Sequence, residues 1–320
     1  MKAIRVEEFG EPDVMKLAEV PALEPAEEQV VVRMHAVGIN PVDTYIRSGM
    51  YGRLPQLPYT PGQDGAGVIA KVGSGAGNWS PGQRVYVAGS ISGTYAEQAL
   101  CTSEQVHALP DEISFTQGAA LGTPYVTAHF ALFERGRAQA GESVLIHGAS
   151  GGVGLAAVQL ARAAGLQVLG TTGSDTGRVL LEQQGVTAIF DHYKTGYLEE
   201  IKAATQGRGV DLILEMLANV NLGHDLTVLA PRGRVVVIGS RGPVEINARE
   251  AMVRNADILG VMVSGASLEV LRAIHQALRA GLRDGSLRPV VGREFALNEA
   301  AESHRAVLSR GAQGKIVLLT

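Results

Sequence analysis

Along roughly the first third of the chain, apolar residues come in short β-branched runs separated by glycine and proline. The runs are "QVVVRMHAVGIN" (29–40), "GAGVIAKVG" (65–73), "GQRVYVAG" (82–89) and "TYAEQAL" (94–100). Short strands punctuated by turn residues at this spacing predict a compact, largely antiparallel β domain. From about residue 123 the period changes. Strand-like segments "SVLIHG" (143–148), "QVLGTT" (167–172), "AIFD" (188–191), "VDLILEM" (210–216), "GRVVVIGS" (233–240) and "DILGVMV" (257–263) now alternate with helical patterns such as "GLAAVQLARAAG" (154–165). That alternation predicts βαβ units and a doubly wound parallel sheet of six strands.

The last part of the chain changes again. Leu268, Leu271, Ile274 and Leu278 recur at helical spacing in "SLEVLRAIHQALRAGLRDG". A second helical stretch, "AAESHRAVLS", and a closing strand, "KIVLLT", follow. The expected organisation is a β domain over 1–122, a nucleotide-binding domain over 123–264, and a return to the first domain over 265–320. An insertion of this kind puts a cleft at the junction, where small-molecule sites are common.

Composition narrows the classes of function. At 320 residues, with 46% hydrophobic and 19% charged content, the chain can bury a core large enough for two domains. A net charge of -4 with no block of like charge argues against a surface built to neutralise phosphate backbones. With six Phe and one Trp there is little material for base-stacking platforms, so nucleic acid is not an expected partner. The first residues, "MKAIRVEEFG", lack the apolar core of a signal peptide, and no stretch nears the roughly 18–20 apolar residues of a membrane span. A cytoplasmic location is the expectation. The single cysteine, Cys101, excludes an internal disulfide and every multi-cysteine zinc arrangement. Its apolar neighbours predict a buried, inert thiol. Seven of the eight histidines, at 35, 107, 129, 147, 224, 275 and 304, show no metal-ligand spacing.

The sharpest motif is "VLIHGASGGVGLAAVQLARAAG" (144–165), in which an apolar strand runs into a glycine-rich turn and then a helix. A pyrophosphate must approach the backbone N–H groups at such a helix N-terminus closely, and side chains there would block it. Between strand and helix in a βαβ series, the motif predicts dinucleotide binding. The end of the next strand chooses the dinucleotide. NAD sites usually carry an acidic residue there, about 20 residues on, for the ribose 2′-OH. Here the position is Thr172, followed by Gly173 and Ser174, with Arg178 beyond as a partner for a 2′-phosphate. NADPH is therefore the expected cofactor, with Asp175, past the strand end, as the contrary sign.

With this cradle, "PGQDGAGVIAKVG", "GINPVDTYIRSG", "ISGTYAEQAL", "EMLANVNL" and "GRVVVIGSRG" make the chain resemble, over essentially its whole length, the zinc-free quinone oxidoreductases of the medium-chain dehydrogenase/reductase family, in particular their zeta-crystallin-like group. The resemblance implies a GroES-like, mainly antiparallel β catalytic domain joined to a six-stranded Rossmann domain. It also implies that Asn40 and Gln63 stand where zinc-dependent relatives carry a Cys and a His ligand. An amide does not replace either as a strong zinc ligand, so no metal is expected.

By the same resemblance, Ser150, Gly151, Gly152 and Val153 would hold the pyrophosphate, with Gly173 and His192 on the adenosine side. Asn221, Ile238, Gly239, Ser240 and Arg241 would lie toward the nicotinamide. Tyr45 would face the nicotinamide and substrate cleft, with Asn40, Gln63 and Asp64 nearby. Structural roles stay open for several of these: Tyr45 as a packed loop aromatic, Gln63 and Asp64 as turn-holding groups, Asn221 as a helix cap, His192 and Arg241 as solvated loop residues.

The activity implied is zinc-independent NADPH:quinone reduction in the interdomain cleft, with one-electron, semiquinone products. A hydride transfer to an enone C=C bond is the enzymatic alternative. A structural or RNA-binding role that keeps the NADPH site is a third. A homo-dimer or tetramer is also implied, and edge pairing around "DILGVMV", whose open edge is otherwise a liability, is the expected contact.

Overall fold

The computed structural model describes residues 1–311 and 313–320. Their contacts divide into two compact units. The first comprises Met1–Thr123, Arg288–Arg310 and Gly314–Thr320, and the second Pro124–Leu287 with the short return Gly311–Gln313.

In the first unit, β1 (Lys2–Val6) and β2 (Met15–Glu19) form an antiparallel pair. The main strands are β3 (Gln29–Ile39), β4 (Asp64–Val72), β5 (Arg84–Ala88), β6 (Gln98–Thr102) and β7 (Val106–Ala108). Helix α1 (Pro41–Arg47) joins β3 to β4, and α2 (Phe115–Gly118) follows β7. Val30, Val32, Ile69, Val85, Val87 and Cys101 are among the buried residues of the core, so the short β-branched runs of the sequence supply its apolar side chains. The turn before β4 needs its glycine. Gly62 has φ +96°, and a Cβ there would lie 2.3 Å from Thr94 Oγ1 and from Tyr95 Cδ1.

Burial pushes the Cys101 thiol up to about 12. We expect iodoacetamide at pH 8 to leave the native protein unlabelled and to modify one thiol per chain after unfolding. Rapid labelling of the native protein would refute this burial.

The second unit starts within α3 (Gly122–His129) and alternates strand and helix. The order is β8 (Ser143–Ile146), α4 (Gly152–Ala163), β9 (Gln167–Thr172), α5 (Asp175–Gln183), β10 (Ala188–Asp191), α6 (Tyr197–Ala204), β11 (Val210–Glu215), α7 (Ala218–Val228), β12 (Leu229–Val237), α8 (Ala248–Arg254) and β13 (Asp257–Gly260). The spatial order β10-β9-β8-β11-β12-β13 is parallel throughout. In order of appearance this is 3-2-1-4-5-6, the doubly wound arrangement. Its direction of winding reverses between β8 and β11, and ligands of such sheets bind at the carboxyl ends of the strands at that switch point.

Helix α9 (Leu268–Asp284) differs from expectation. It belongs to the second unit, and the return to the first begins at Arg288 rather than at residue 265. Its buried stripe of Ile274, Leu278 and Leu282 needs apolar cover, and sequence periodicity reveals the stripe without revealing which domain supplies it. After it, β14 (Val291–Ala296) and α10 (Ala300–Leu308) lead to β15 (Lys315–Leu319), which pairs antiparallel with β3. The first unit's larger sheet then reads β14-β15-β3-β4-β5-β7, with β6 also on β3. No helix among the described residues is long and apolar enough to cross a membrane.

Candidate cofactor and acceptor sites

In the second unit, the glycine loop occupies the end of β8, beside the switch point. Gly151 is the N-cap of α4 and Gly152 its first residue, so the free N–H groups of the first turn are available to an anion. Gly154 makes the close packing possible, because a Cβ there would stand 2.4 Å from Gly148 O and 2.6 Å from Ala149 Cα. Ser150 is buried and its Oγ lies 3.2 Å from Thr172 Oγ1, which ties the loop to the end of β9. Gly173 follows directly and lies against His192 and Tyr193, whose rings meet edge to face at 4.4 Å. Burial holds His192 below the usual histidine range, so it is neutral at pH 7. Arg178, in the first turns of α5, donates to Ile189 O at 3.1 Å, which anchors one nitrogen of its guanidinium. Asp175, the first residue of α5, is exposed at a helix N-terminus, where the helix dipole favours a carboxylate without any ligand.

The remaining predicted cofactor residues gather at the ends of β11 and β12. Asn221 is not a cap, since α7 is capped at Leu217; its Nδ2 donates to Glu215 Oε1 at 3.2 Å. Ile238 N and Gly239 N both donate to Glu215 O, at 2.8 and 3.2 Å. Ser240 Oγ donates to Gly242 O, and Arg241 N to Asn219 Oδ1. The predicted cofactor residues of this unit thus lie in the loops after β8, β9, β10 and β12 or, for Gly152, Val153, Arg178 and Asn221, in the first turns of α4, α5 and α7.

The other predicted residues lie in the first unit and have different environments. Tyr45 is half-buried on α1. Asn40 and Asp64 are buried and joined, with Asn40 Nδ2 donating to Asp64 Oδ2 at 2.8 Å. A residue absent from the sequence expectations completes them: Lys315, 3% exposed, places Nζ 2.5 Å from Asn40 Oδ1 and 3.2 Å from Asp64 Oδ2. The other Asp64 oxygen accepts from Thr123 N and Oγ1, each at 2.8 Å. Gln63, by contrast, is exposed, and its Oε1 accepts from Ser90 N at 3.0 Å. Asn40 and Asp64 are therefore spent on internal bonds, while Gln63 keeps its amide nitrogen.

Asp43 also escaped the sequence reading. Its Oδ2 accepts from Asn40 N at 2.9 Å and from Tyr95 OH at 3.1 Å, and Tyr95 OH is 2.9 Å from His304 Nε2. Burial pushes Asp43 up to about 7 and His304 down to about 3. The only sequence signal was "NPVD", which puts an acid three residues after a helix-capping Asn with Pro between. A cavity of about 510 Å³ in this unit is lined by Asp43, Ile46, Tyr59, Gln63 and Ser92 among others, but by neither Asn40 nor Tyr45.

Two family profiles match the chain. One is described as an alcohol dehydrogenase GroES-like domain, over residues 26–111, and the other as a zinc-binding dehydrogenase, over residues 152–279. A quinone oxidoreductase of Homo sapiens is 48% identical over 321 aligned residues, which cover 100% of this chain and 98% of that protein. Among solved structures, Escherichia coli quinone oxidoreductase complexed with NADPH matches with a TM-score of 0.91 at 29% identity, covering 100% of both chains. An NAD-dependent alcohol dehydrogenase matches with a TM-score of 0.92 at 27% identity, again over 100% of both. One backbone thus serves proteins named for different dinucleotides, and the cofactor has to be argued from the residues of the individual chain.

Proposed function

Because the chain belongs to the quinone oxidoreductases of the medium-chain dehydrogenase/reductase superfamily, we propose that it reduces quinones with NADPH and without zinc. The observation that carries this is the polar cluster of Asn40, Asp64 and Lys315. A zinc ion needs thiolate, imidazole or free carboxylate donors. Here Asn40 and Asp64 already bond one another, and a buried ammonium sits 2.5 Å from Asn40 Oδ1. These residues do not fit a metal, so activation of an alcohol by a Lewis acid has no support in this chain. A quinone needs less activation, because reduction restores aromatic conjugation.

The second unit's residues fit the dinucleotide. The loop Ser150, Gly151, Gly152 and Val153 binds the pyrophosphate, through N–H groups other than that of Gly151, which donates to Gly148 O, and the space beside Gly173 and His192 takes the adenosine. Arg178 pairs with the 2′-phosphate, for which Thr172 and Gly173 leave the rim uncharged. Asn221 and the run Ile238, Gly239, Ser240 and Arg241 orient the nicotinamide end, which supplies the hydride when the cofactor is bound. On the first unit, Tyr45 with Asn40, Gln63 and Asp64 nearby positions the acceptor. The chain's share of catalysis is then orientation and exclusion of water.

The direct test follows NADPH absorbance with 1,2-naphthoquinone on metal-stripped protein, with NADH in parallel. Turnover with NADPH strongly preferred supports both the cofactor and the zinc independence, whereas activity that returns only with added zinc overturns the reading. Electron spin resonance of the same mixture tests the one-electron course. A saturated ketone formed from an enone far faster than any quinone is reduced would favour C=C reduction instead. Arg178→Ala is expected to raise KM for NADPH by about 10- to 100-fold and to leave NADH within about twofold, since one charge-assisted hydrogen bond is worth about 1.5–3 kcal/mol. Equal effects on the two cofactors would remove Arg178 from the 2′-phosphate site.

A homo-oligomer belongs to the same proposal. Strand β13 pairs only with β12 among the described strands and leaves Ile258 42% exposed on the sheet edge. Pairing of two such edges would satisfy the open backbone groups. A solution mass of one chain at high concentration would refute it. We also propose action in the cytoplasm, which fractionation of the source cells would test.

A further inference from the structure

Beneath the loops assigned to the cofactor lies a buried group of three titratable side chains, His147, Glu215 and Asp225, whose ligand atoms fall within 4.8 Å of one another. His147 follows β8 and Glu215 ends β11, on the two sides of the switch point, and Asp225 faces them from α7. None is more than 3% exposed.

Counting donors and acceptors gives a consistent assignment of its protons. Thr171 Oγ1 accepts from Gly148 N at 3.1 Å, so its own proton is free for His147 Nδ1 at 3.4 Å. The imidazole then carries its proton on Nε2, which donates to Asp225 Oδ1 at 2.8 Å. Glu215 Oε1 accepts from Leu217 N and from Asn221 Nδ2. Two buried oxygens remain without any donor, Glu215 Oε2 and Asp225 Oδ2. Glu215 Oε2 lies 3.5 Å from His147 Nε2, too far for a good hydrogen bond, and a proton held between the two carboxyls satisfies both oxygens.

We propose that Glu215 and Asp225 share one proton and, with His147, act as a positioning unit that links the pyrophosphate loop to the nicotinamide-side loops, so that cofactor affinity depends on that proton. The connections are direct. His147 adjoins the glycine loop, Thr171 ties that loop to β9, Glu215 Oε1 holds Leu217 and Asn221, and Glu215 O holds Ile238 and Gly239. Loss of the proton places a second negative charge under an anionic ligand and drives the two carboxylates apart, which loosens the loops they hold. A proton is favoured over a cation because the Nε2 proton of the imidazole already points at Asp225, and a metal ligand would need that nitrogen bare.

Burial pushes both carboxyls up to about 7, which is where the coupling should be seen. Other groups face the unit. Tyr197 from α6 lies in the field of both carboxylates, with its phenol raised above the usual range by burial first, and His192, just after β10, lies in the field of His147 and of Asp191 at the end of β10. His147 and His192 are both held low by burial, so neither titrates in the window above pH 7.

This inference rests on the cofactor assignment above, and the test separates the two. Kd for NADPH and for NADH is measured from pH 6 to 8.5 on the wild type, Glu215→Gln and Asp225→Asn. NADH is included because the 2′-phosphate itself titrates near pH 6, as phosphate monoesters do. Each variant replaces the orphaned oxygen with an amide nitrogen that donates permanently. The wild type should lose about tenfold in affinity for both cofactors across this range, the equivalent of one pKa unit, and the variants should stay within about twofold of the wild-type value at low pH. Slopes equal to wild type in both variants would overturn the proposal, as would stoichiometric bound metal whose removal abolishes the pH dependence.

Thermal stability reads the same proton without cofactor. The folded pair keeps a proton that the unfolded carboxyls release above about pH 4. Wild-type stability from this source is therefore complete below that pH and lost as pH rises to about 7. Between pH 5 and 8 the wild-type Tm should fall about 5 °C more than that of Glu215→Gln. Parallel Tm curves with normal NADPH binding would overturn the shared proton and leave the cofactor assignment standing. A clear Tm difference without NADPH binding would sink that assignment, and the coupling with it, and leave only the proton.

Discussion

Lys315→Met is expected to destabilise the protein by about 3–5 kcal/mol, the usual cost of removing one partner from a buried ion pair. Burial lowers the Lys315 ammonium, and the nearby Asp64 carboxylate acts against that shift, so the charge is sustained by its partner. Without the ammonium, Asp64 keeps the hydrogen bonds from Thr123 and Asn40 but becomes a buried carboxylate with no compensating charge. The strain would be felt in several elements, because Lys315 begins β15, Asn40 follows β3 and caps α1, and Asp64 opens β4. Urea denaturation measures the effect. The double variant Lys315→Met with Asp64→Asn should recover a large part of the loss, since it removes both charges together. A loss below about 1 kcal/mol in the single variant would mean that the cluster is hydrated and that Lys315 is not its central charge.

The second large effect is expected at Gly154. Valine there would drive its Cβ into the 2.4 Å gap to Gly148 O, and neither the strand–loop backbone nor α4 can yield without displacing the other. The N-terminus of α4 would move away from the loop by a substantial part of an ångström. Misplacement of about 1 Å costs about 100-fold in rate, so kcat/KM with NADPH should fall by about that factor and NADPH affinity should fall with it, with Gly154→Ala intermediate. The first unit, with its own core, should remain folded, as the environment of Trp79 would report by fluorescence. Normal NADPH titration of Gly154→Val would remove the loop from the cofactor site.

Much of this protein could be read from local pattern. The doubly wound sheet was visible because each strand of a parallel sheet is buried on both faces and reads as a continuous apolar run between helices. The glycine loop was visible because close backbone approach forbids side chains in a contiguous stretch of sequence. The Asn40 and Gln63 positions could be recognised through family resemblance, and Cys101 through its apolar neighbours. The contacts that complete the sites could not. Lys315 lies 275 positions from Asn40 in sequence, His147 lies 78 from Asp225, and Tyr95 lies 209 from His304.

No periodicity records such pairs, because each residue looks locally like an ordinary polar position at the end of a strand or on a helix. The sequence by itself determined the order of elements, the two kinds of sheet and the glycine loop at the start of α4, since these depend on residues within a turn or two of each other. The tertiary structure alone decided which of the predicted polar residues keep free atoms, where α9 packs, and which carboxyls must hold protons. Those outcomes depend on desolvation, and desolvation is set by what the rest of the chain brings to lie around a group.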